Sequence, residues 1–233
     1  MQLKEIKPGE AQKYISDRET HISFSQFGED LIIWAILRLH KRLDNGFYVD
    51  VGAFDPVKCS NTALLHLFRG WKGVNIDANP DAIRMFDEHR PGDFNIVAAV
   101  SDEETDHEYV RFNHPGLNTL DPAMEQRQTR EGTPFKVTDR FQVRTRTLRD
   151  ILDGLDGVPE RIGLLNVDCE GFDLRVLHSN DWDRYRPFVI AVEAHGLKLR
   201  KLGNDPVHNF LAEMGYRLVS HAFVTSVYVN TSA

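Results

Sequence analysis

The sequence predicts an α/β fold: a doubly wound, Rossmann-like sheet of seven strands, mostly parallel, with one antiparallel strand. Two observations carry this. Short apolar runs alternate with amphipathic segments along most of the 233 residues, the pattern of parallel strands covered on both faces. The last two runs, "YRLVSHA" and "FVTSVYVN", are too close together for a helical crossover. They must form a hairpin, which turns one strand against the rest.

The elements follow in order. Residues 1–24 read as a polar N-terminal segment, and residues 25–233 as a single domain. "SQFGEDLIIWAILRLHKRL" reads as a helix with Ser25 as N-cap, Glu29 and Asp30 at its positive end, Lys41 and Arg42 at its negative end, and Asn45-Gly46 after it. "GFYVDVG" is a buried strand and "SNTALLHLFRG" a helix closed by Gly70. The strand "WKGVNID" leads to the helix "NPDAIRMFDEHRP", with Pro80 in its first turn, and then to the strand "DFNIVAAVS". Later come the helix "RTLRDILDGL", the strand "RIGLLNVD", the helix "GFDLRVLHSN", the strand "PFVIAVEA" and the helix "DPVHNFLAEMG". Residues from about 103 to 141 break the alternation. They are polar, punctuated by "NHPGLN" and "REGTPF", and read as an insertion over one end of the sheet.

Composition narrows the function classes. The formal net charge of −7 disfavours nucleic acid as a partner. The one basic cluster, Arg140, Arg144, Arg146 and Arg149, alternates like the solvent face of a strand, or forms a local patch for an anion. No apolar run is long enough for a membrane span or a signal-peptide core. Two isolated cysteines make neither a disulfide framework nor a thiolate zinc site, which points to the cytoplasm.

The candidate site lies beyond the carboxyl ends of the strands, where doubly wound sheets bind ligands. All five predicted parallel strands carry an acid there: Asp50, Asp77, Asp102 after Ser101, Asp168 with Glu170, and Glu193 with His195. Gly52 follows Asp50 and lets the backbone approach a ligand. The glycine-rich dinucleotide fingerprint and the phosphate-binding lysine loop are both missing. An acid-rich site with a single glycine suits a ligand with a cationic end and a ribose, and S-adenosylmethionine has both. Asp77 is placed to accept from ribose hydroxyls.

Four stretches, "SQFGEDLII", "GFYVDVGAFDP" with "SNT", "GWKGVNIDANP" and "LLNVDCEGFDLRVL", resemble the FkbM-type S-adenosylmethionine-dependent methyltransferases. The resemblance spans roughly residues 25–195. It implies a class I methyltransferase fold and methylation of an oxygen on a sugar, glycan or natural product. It also implies that Asp50, Gly52 and Ala53 line the methionine end of the cofactor, that Asp77 takes the ribose, and that Ser101 and Asp102 sit near the adenine. Gln26 and Asp30 would close the pocket.

A hydroxyl is a poor nucleophile while it keeps its proton, so a general base or a divalent metal must help. Glu170, Glu193 and His195 are the catalytic candidates. Asp168, Glu193 and His195 would suit Mg²⁺ or Mn²⁺, or else hold their loop structurally. Cys169 reads as a packing residue. His114 and Asn118, in the insertion, are candidate contacts to the acceptor. Two other readings stay open: a non-catalytic adenosine-ligand-binding scaffold of the same fold, and an NAD-dependent oxidoreductase.

Overall fold

The computed structural model describes residues 22–231. The predicted polar segment 1–24 lies outside them except for its last three residues. Those three are already part of the domain: Phe24 is buried against Ala63, Leu64 and Phe68, and its carbonyl accepts from Ser60 N at 3.1 Å.

Ten strands and seven α-helices follow. They are α1 (Glu29–Leu39), β1 (Phe47–Val51), α2 (Ala63–Arg69), β2 (Lys72–Asp77), α3 (Pro80–His89), β3 (Phe94–Val97), β4 (Ala99–Val100), β5 (Asp106–Phe112), α4 (Pro122–Gln128), β6 (Val137–Arg146), α5 (Leu148–Asp153), β7 (Leu164–Val167), α6 (Asp173–His178), β8 (Val189–Glu193), α7 (Pro206–Glu213), β9 (Tyr216–Ala222) and β10 (Thr225–Asn230). The main sheet has seven strands in the order β3-β2-β1-β7-β8-β10-β9. Only β10 runs against its neighbours, β8 and β9, as the closing hairpin requires.

The strands alternate with period two between two cores. Val49, Val51, Leu165, Val167, Ile190 and Val192 face one way, onto Leu148, Ile151, Val176, Leu177 and Leu211 of α5, α6 and α7. Tyr48, Leu164, Val189 and Ala191 face the other way, onto Ile33, Leu37 and Leu65 of α1 and α2. Both faces are therefore covered, and ligands have access only at the strand edges.

Several local expectations change. α1 is shorter than predicted at both ends. Its N-cap is Gly28, at φ +89°, and Ser25 works from further back, its Oγ accepting from Gly28 N at 3.0 Å and Asp30 N at 3.3 Å. The helix stops at Leu39 because Lys41 turns left-handed and Arg42 N folds back onto Leu37 O at 2.8 Å. The run "DFNIVAAVS" is two strands, not one. β3 stays beside β2, the chain breaks at Ala98, and β4 joins a second sheet of order β4-β6-β5.

The expected insertion is ordered. β5 and β6 pair antiparallel, and a 3-10 turn at Pro115–Leu117 and α4 lie between them. β6 carries Arg140, Arg144 and Arg146 of the basic cluster on its exposed side, where Arg140 pairs with Glu108 and Glu125; Arg149 lies on α5. The connecting segment is tied to the main domain by Thr119 Oγ1, which donates to the carbonyl of Glu170 at 2.8 Å.

Candidate active site

A cleft of about 300 Å³ opens at the carboxyl edge of the main sheet, and the β5–β6 segment forms its far wall. Of the five strand-end acids, four line it: Asp50, Asp77, Asp168 and Glu193. The fifth does not. The break at Ala98 carries Ser101 and Asp102 away with β4. Ser101 is fully buried, and Asp102 turns to Arg175 at 3.3 Å. Ala98, Ala99 and Val100 stand on the cleft wall instead.

Asp50 is 2% exposed and fully engaged. One carboxylate oxygen accepts from Thr62 Oγ1 and the other from Asn166 Nδ2, both at 2.8 Å. Asn61 Nδ2 in turn donates to Asn166 Oδ1 at 2.9 Å. Burial pushes the Asp50 carboxyl up, and the Asn166 and Thr62 bonds together with the charge of Arg90 oppose this. Arg90 is itself buried, its guanidinium donating to Tyr48 OH, Thr62 Oγ1, Ser60 Oγ and the carbonyl of Pro56. Asp50 thus anchors the turn after β1 through a buried network.

Gly52 and Ala53 line the cleft, and Gly52 is also needed for packing. Its φ is +77°, and a Cβ there would lie 1.8 Å from the carbonyl oxygen of Asp168. The close approach is of one strand-end turn to another. Gly52 N and Ala53 N both donate to Ile76 O, at 2.9 and 3.1 Å, so these amides bind the β2 end.

Asp77 sits at the end of β2, part-exposed to the cleft. Oδ1 accepts from Asn79 N at 2.7 Å and Oδ2 from Phe54 N at 3.0 Å. Each oxygen keeps a further lone pair. Burial raises its pKa to about 6, although both backbone amides favour the charged form.

On the other side of the β1 turn, Gln26 lines the cleft and Asp30 does not. Asp30 is buried under the preceding loop and accepts from Ser23 Oγ, Phe24 N and Ser25 Oγ. Its neighbour Glu29 faces the cleft, with Oε2 accepting from Phe27 N at 2.8 Å and Oε1 from Thr225 Oγ1 at 3.4 Å. Successive helix residues point about 100° apart, so only one of the two can do so.

The acids after β7 and β8 form the third wall. Asp168 is exposed to the cleft. Desolvation by the surrounding protein raises its pKa well above the usual range, together with Glu193, Asp173, Glu170 and Asp50. Glu170, at φ +45°, and Glu193 approach one another through His195. Nε2 of His195 lies 2.9 Å from Glu193 Oε1 and 3.9 Å from Glu170 Oε2. Glu170 and Glu193 together push the imidazole up to about 10. Nε2 is turned to the two carboxylates, which favour the charged imidazole. Asp168 lies outside the group of three whose ligand atoms converge, which is Glu170, Glu193 and His195. Cys169 faces the cleft, but burial and the nearby acids raise its thiol well above the usual range, so it is not a poised nucleophile.

His114 and Asn118 reach the cleft from the β5–β6 segment. His114 is exposed, while Asn118 is partly spent on its own loop, accepting from Phe112 N at 2.9 Å.

A doubly wound seven-stranded sheet of this order, with an acid-lined cleft at its carboxyl edge, is the class I methyltransferase fold. The Methyltransferase FkbM domain matches residues 50–218, more than two thirds of the chain. The chain belongs to the FkbM methyltransferase domain family. Among solved structures it is similar to the "crystal structure of a putative RNA methyltransferase PH1948 from Pyrococcus horikoshii", at 8% identity over 91% of each chain and a TM-score of 0.41. No curated protein matches this chain. No helix among the described residues is long and apolar enough to cross a membrane.

Proposed function

We propose that this methyltransferase uses S-adenosylmethionine to methylate a hydroxyl oxygen of a small molecule or glycan. The observation that carries the proposal is the convergence of Asp50, Asp77, Asp168 and Glu193 on one cleft. The cofactor fits the donor set. Asp77 has a free lone pair on each oxygen for the two ribose hydroxyls, and Gln26, Glu29 and the turn at Gly52 form a polar, acidic end for an ammonium group. Ala99 and Val100 offer an apolar wall for a purine, in the place the sequence reserved for Ser101 and Asp102. A dinucleotide finds no glycine-rich pyrophosphate turn, which disfavours the oxidoreductase reading.

When bound, the cofactor supplies an electrophilic methyl group on a sulfonium. The chain's own part is to hold and deprotonate the acceptor. Asp168 is exposed in the cleft, and we assign it the hydroxyl proton. The β5–β6 segment, with His114 at its tip, closes the acceptor side and excludes water. His195 holds Glu193 and Glu170 in place.

The test is a screen of sugars, glycans and hydroxylated natural products with methyl-deuterated S-adenosylmethionine, read by mass spectrometry. A labelled O-methyl product, lost in Asp168→Asn, supports the reading. Label on nitrogen or carbon only would reject O-methylation.

A further inference from the structure

We infer that Glu170, Glu193 and His195 form a divalent-cation site on the acceptor side of the cleft. The inference rests on the proposed function for its use, but not for its existence.

One ligand atom from each residue lies within 4.8 Å of the others. The individual separations match a coordination shell. Ligands about 2.1 Å from an octahedral Mg²⁺ or Mn²⁺ stand about 3 Å apart when adjacent and about 4.2 Å when opposite. His195 Nε2 lies 2.9 Å from Glu193 Oε1 and 3.9 Å from Glu170 Oε2.

A convergence of acids would not by itself mark a site. The second observation is hydrogen bonding. Glu193 is 7% exposed and Glu170 9%, yet Oε2 of each is buried without a hydrogen-bond partner. Among the described residues five buried side-chain polar atoms are in this condition, and two of the five are these. Buried carboxylate oxygens normally find donors, so an orphan on each of the two carboxylates beside His195 points to a missing cation.

Charge points the same way. Asp168 and Asp173 add to the negative field here, and Arg127 is the cation that acts on Glu170 from the far wall. A divalent ion among the three ligand atoms would offset this field. Two carboxylates with one imidazole suit Mn²⁺ or Mg²⁺ better than a structural zinc. The ligands stand on firm supports. Glu193 is paired with Thr225 in the sheet, and the Glu170 carbonyl is held by Thr119. All three residues line the cleft, so open coordination positions would face the acceptor hydroxyl.

The test is Mn²⁺ binding to the purified full chain without cofactor or acceptor. It is followed by calorimetry and by loss of the free Mn²⁺ electron paramagnetic resonance signal, with Mg²⁺ as competitor. One ion should bind per chain. Glu193→Gln and Glu170→Gln should each weaken it by on the order of 100-fold, at or beyond the upper range for disturbing a metal's outer shell. Asp102→Asn, outside the cleft, should not change it. Circular dichroism confirms that each variant is folded, and His195→Ala replaces any that is not. No Mn²⁺ binding to wild type at about millimolar ion, the weak end for oxygen-ligand sites, overturns the inference. So does binding that every folded variant of the three retains. Failure of S-adenosylmethionine to bind would bear on the proposed function and not on this result.

Discussion

The carbonyl oxygen of Asp168 occupies the place that a side chain at residue 52 would need: a Cβ built on Gly52 falls 1.8 Å from it. The turns after β1 and β7 are thereby packed backbone to backbone, and this brings Asp50 and Asp168 to the same cleft. Backbone cannot yield as a flexible side chain can. Gly52→Ala should therefore destabilise the protein by at least about 2 kcal/mol, from the positive φ and the collision together. In a domain of this size that is a fall of roughly 4–8 °C in melting temperature. Scanning calorimetry on the variant reads it directly, and an unchanged melt would show that the turns can separate freely.

Arg90 should matter more to the fold than any residue of the cleft. It is 2% exposed and holds Tyr48, Thr62, Ser60 and the Pro56 carbonyl, and its charge offsets the burial of Asp50. Arg90→Met should cost about 3–5 kcal/mol, the range for removing one partner of a buried charge network. Urea unfolding measures this. A loss below about 1 kcal/mol, the level of a surface substitution, would mean that the network is dispensable.

Cofactor affinity should depend on pH through Asp77. Its pKa lies at about 6, so the carboxylate is charged above that pH and protonated below it. Only the ionised form offers both oxygens as acceptors. Binding should therefore be strong at pH 7.5 and weaken by up to about tenfold at pH 5, following the ionised fraction. Asp77→Asn should flatten the profile. A wild-type profile already flat from pH 5 to 7.5 would contradict the assignment.

The β5–β6 segment should govern the acceptor and not the cofactor. Deleting all of residues 103–141 would remove strands that complete the second sheet, so the informative change is local. His114→Ala should lower kcat/KM for the acceptor by roughly 2- to 12-fold, the value of one ordinary hydrogen bond. The dissociation constant of S-adenosylmethionine should stay the same. A weaker cofactor with an unchanged acceptor constant would reverse the placement of this wall.

Much of the fold was legible because its signals are local. Period-two strands, proline at the first turn of α3 and α7, and the closing hairpin all read directly from the chain. The misses have a common physical origin in contacts between distant residues. "IVAAVS" carries no glycine or proline, so nothing local announces that Ala99 leaves β3 to pair with Thr145. Asp30 and Glu29 are adjacent acids, and only the helix phase decides which one reaches the cleft. Arg90 reads as an ordinary helix end, yet its guanidinium reaches under the β1 turn. Glu170 displaces Asp168 in the converging group because its left-handed backbone turns it toward His195, a conformation its residue type does not advertise.

The most direct test is calorimetric titration of S-adenosylmethionine into the wild-type protein and into Asp77→Ala at pH 7.5. The account predicts that wild type binds, and that the variant stays folded and binds roughly 10- to 150-fold more weakly, the loss of about 1.5–3 kcal/mol for hydrogen bonds to a charged group. No binding to wild type, or equal affinity in the folded variant, would contradict it.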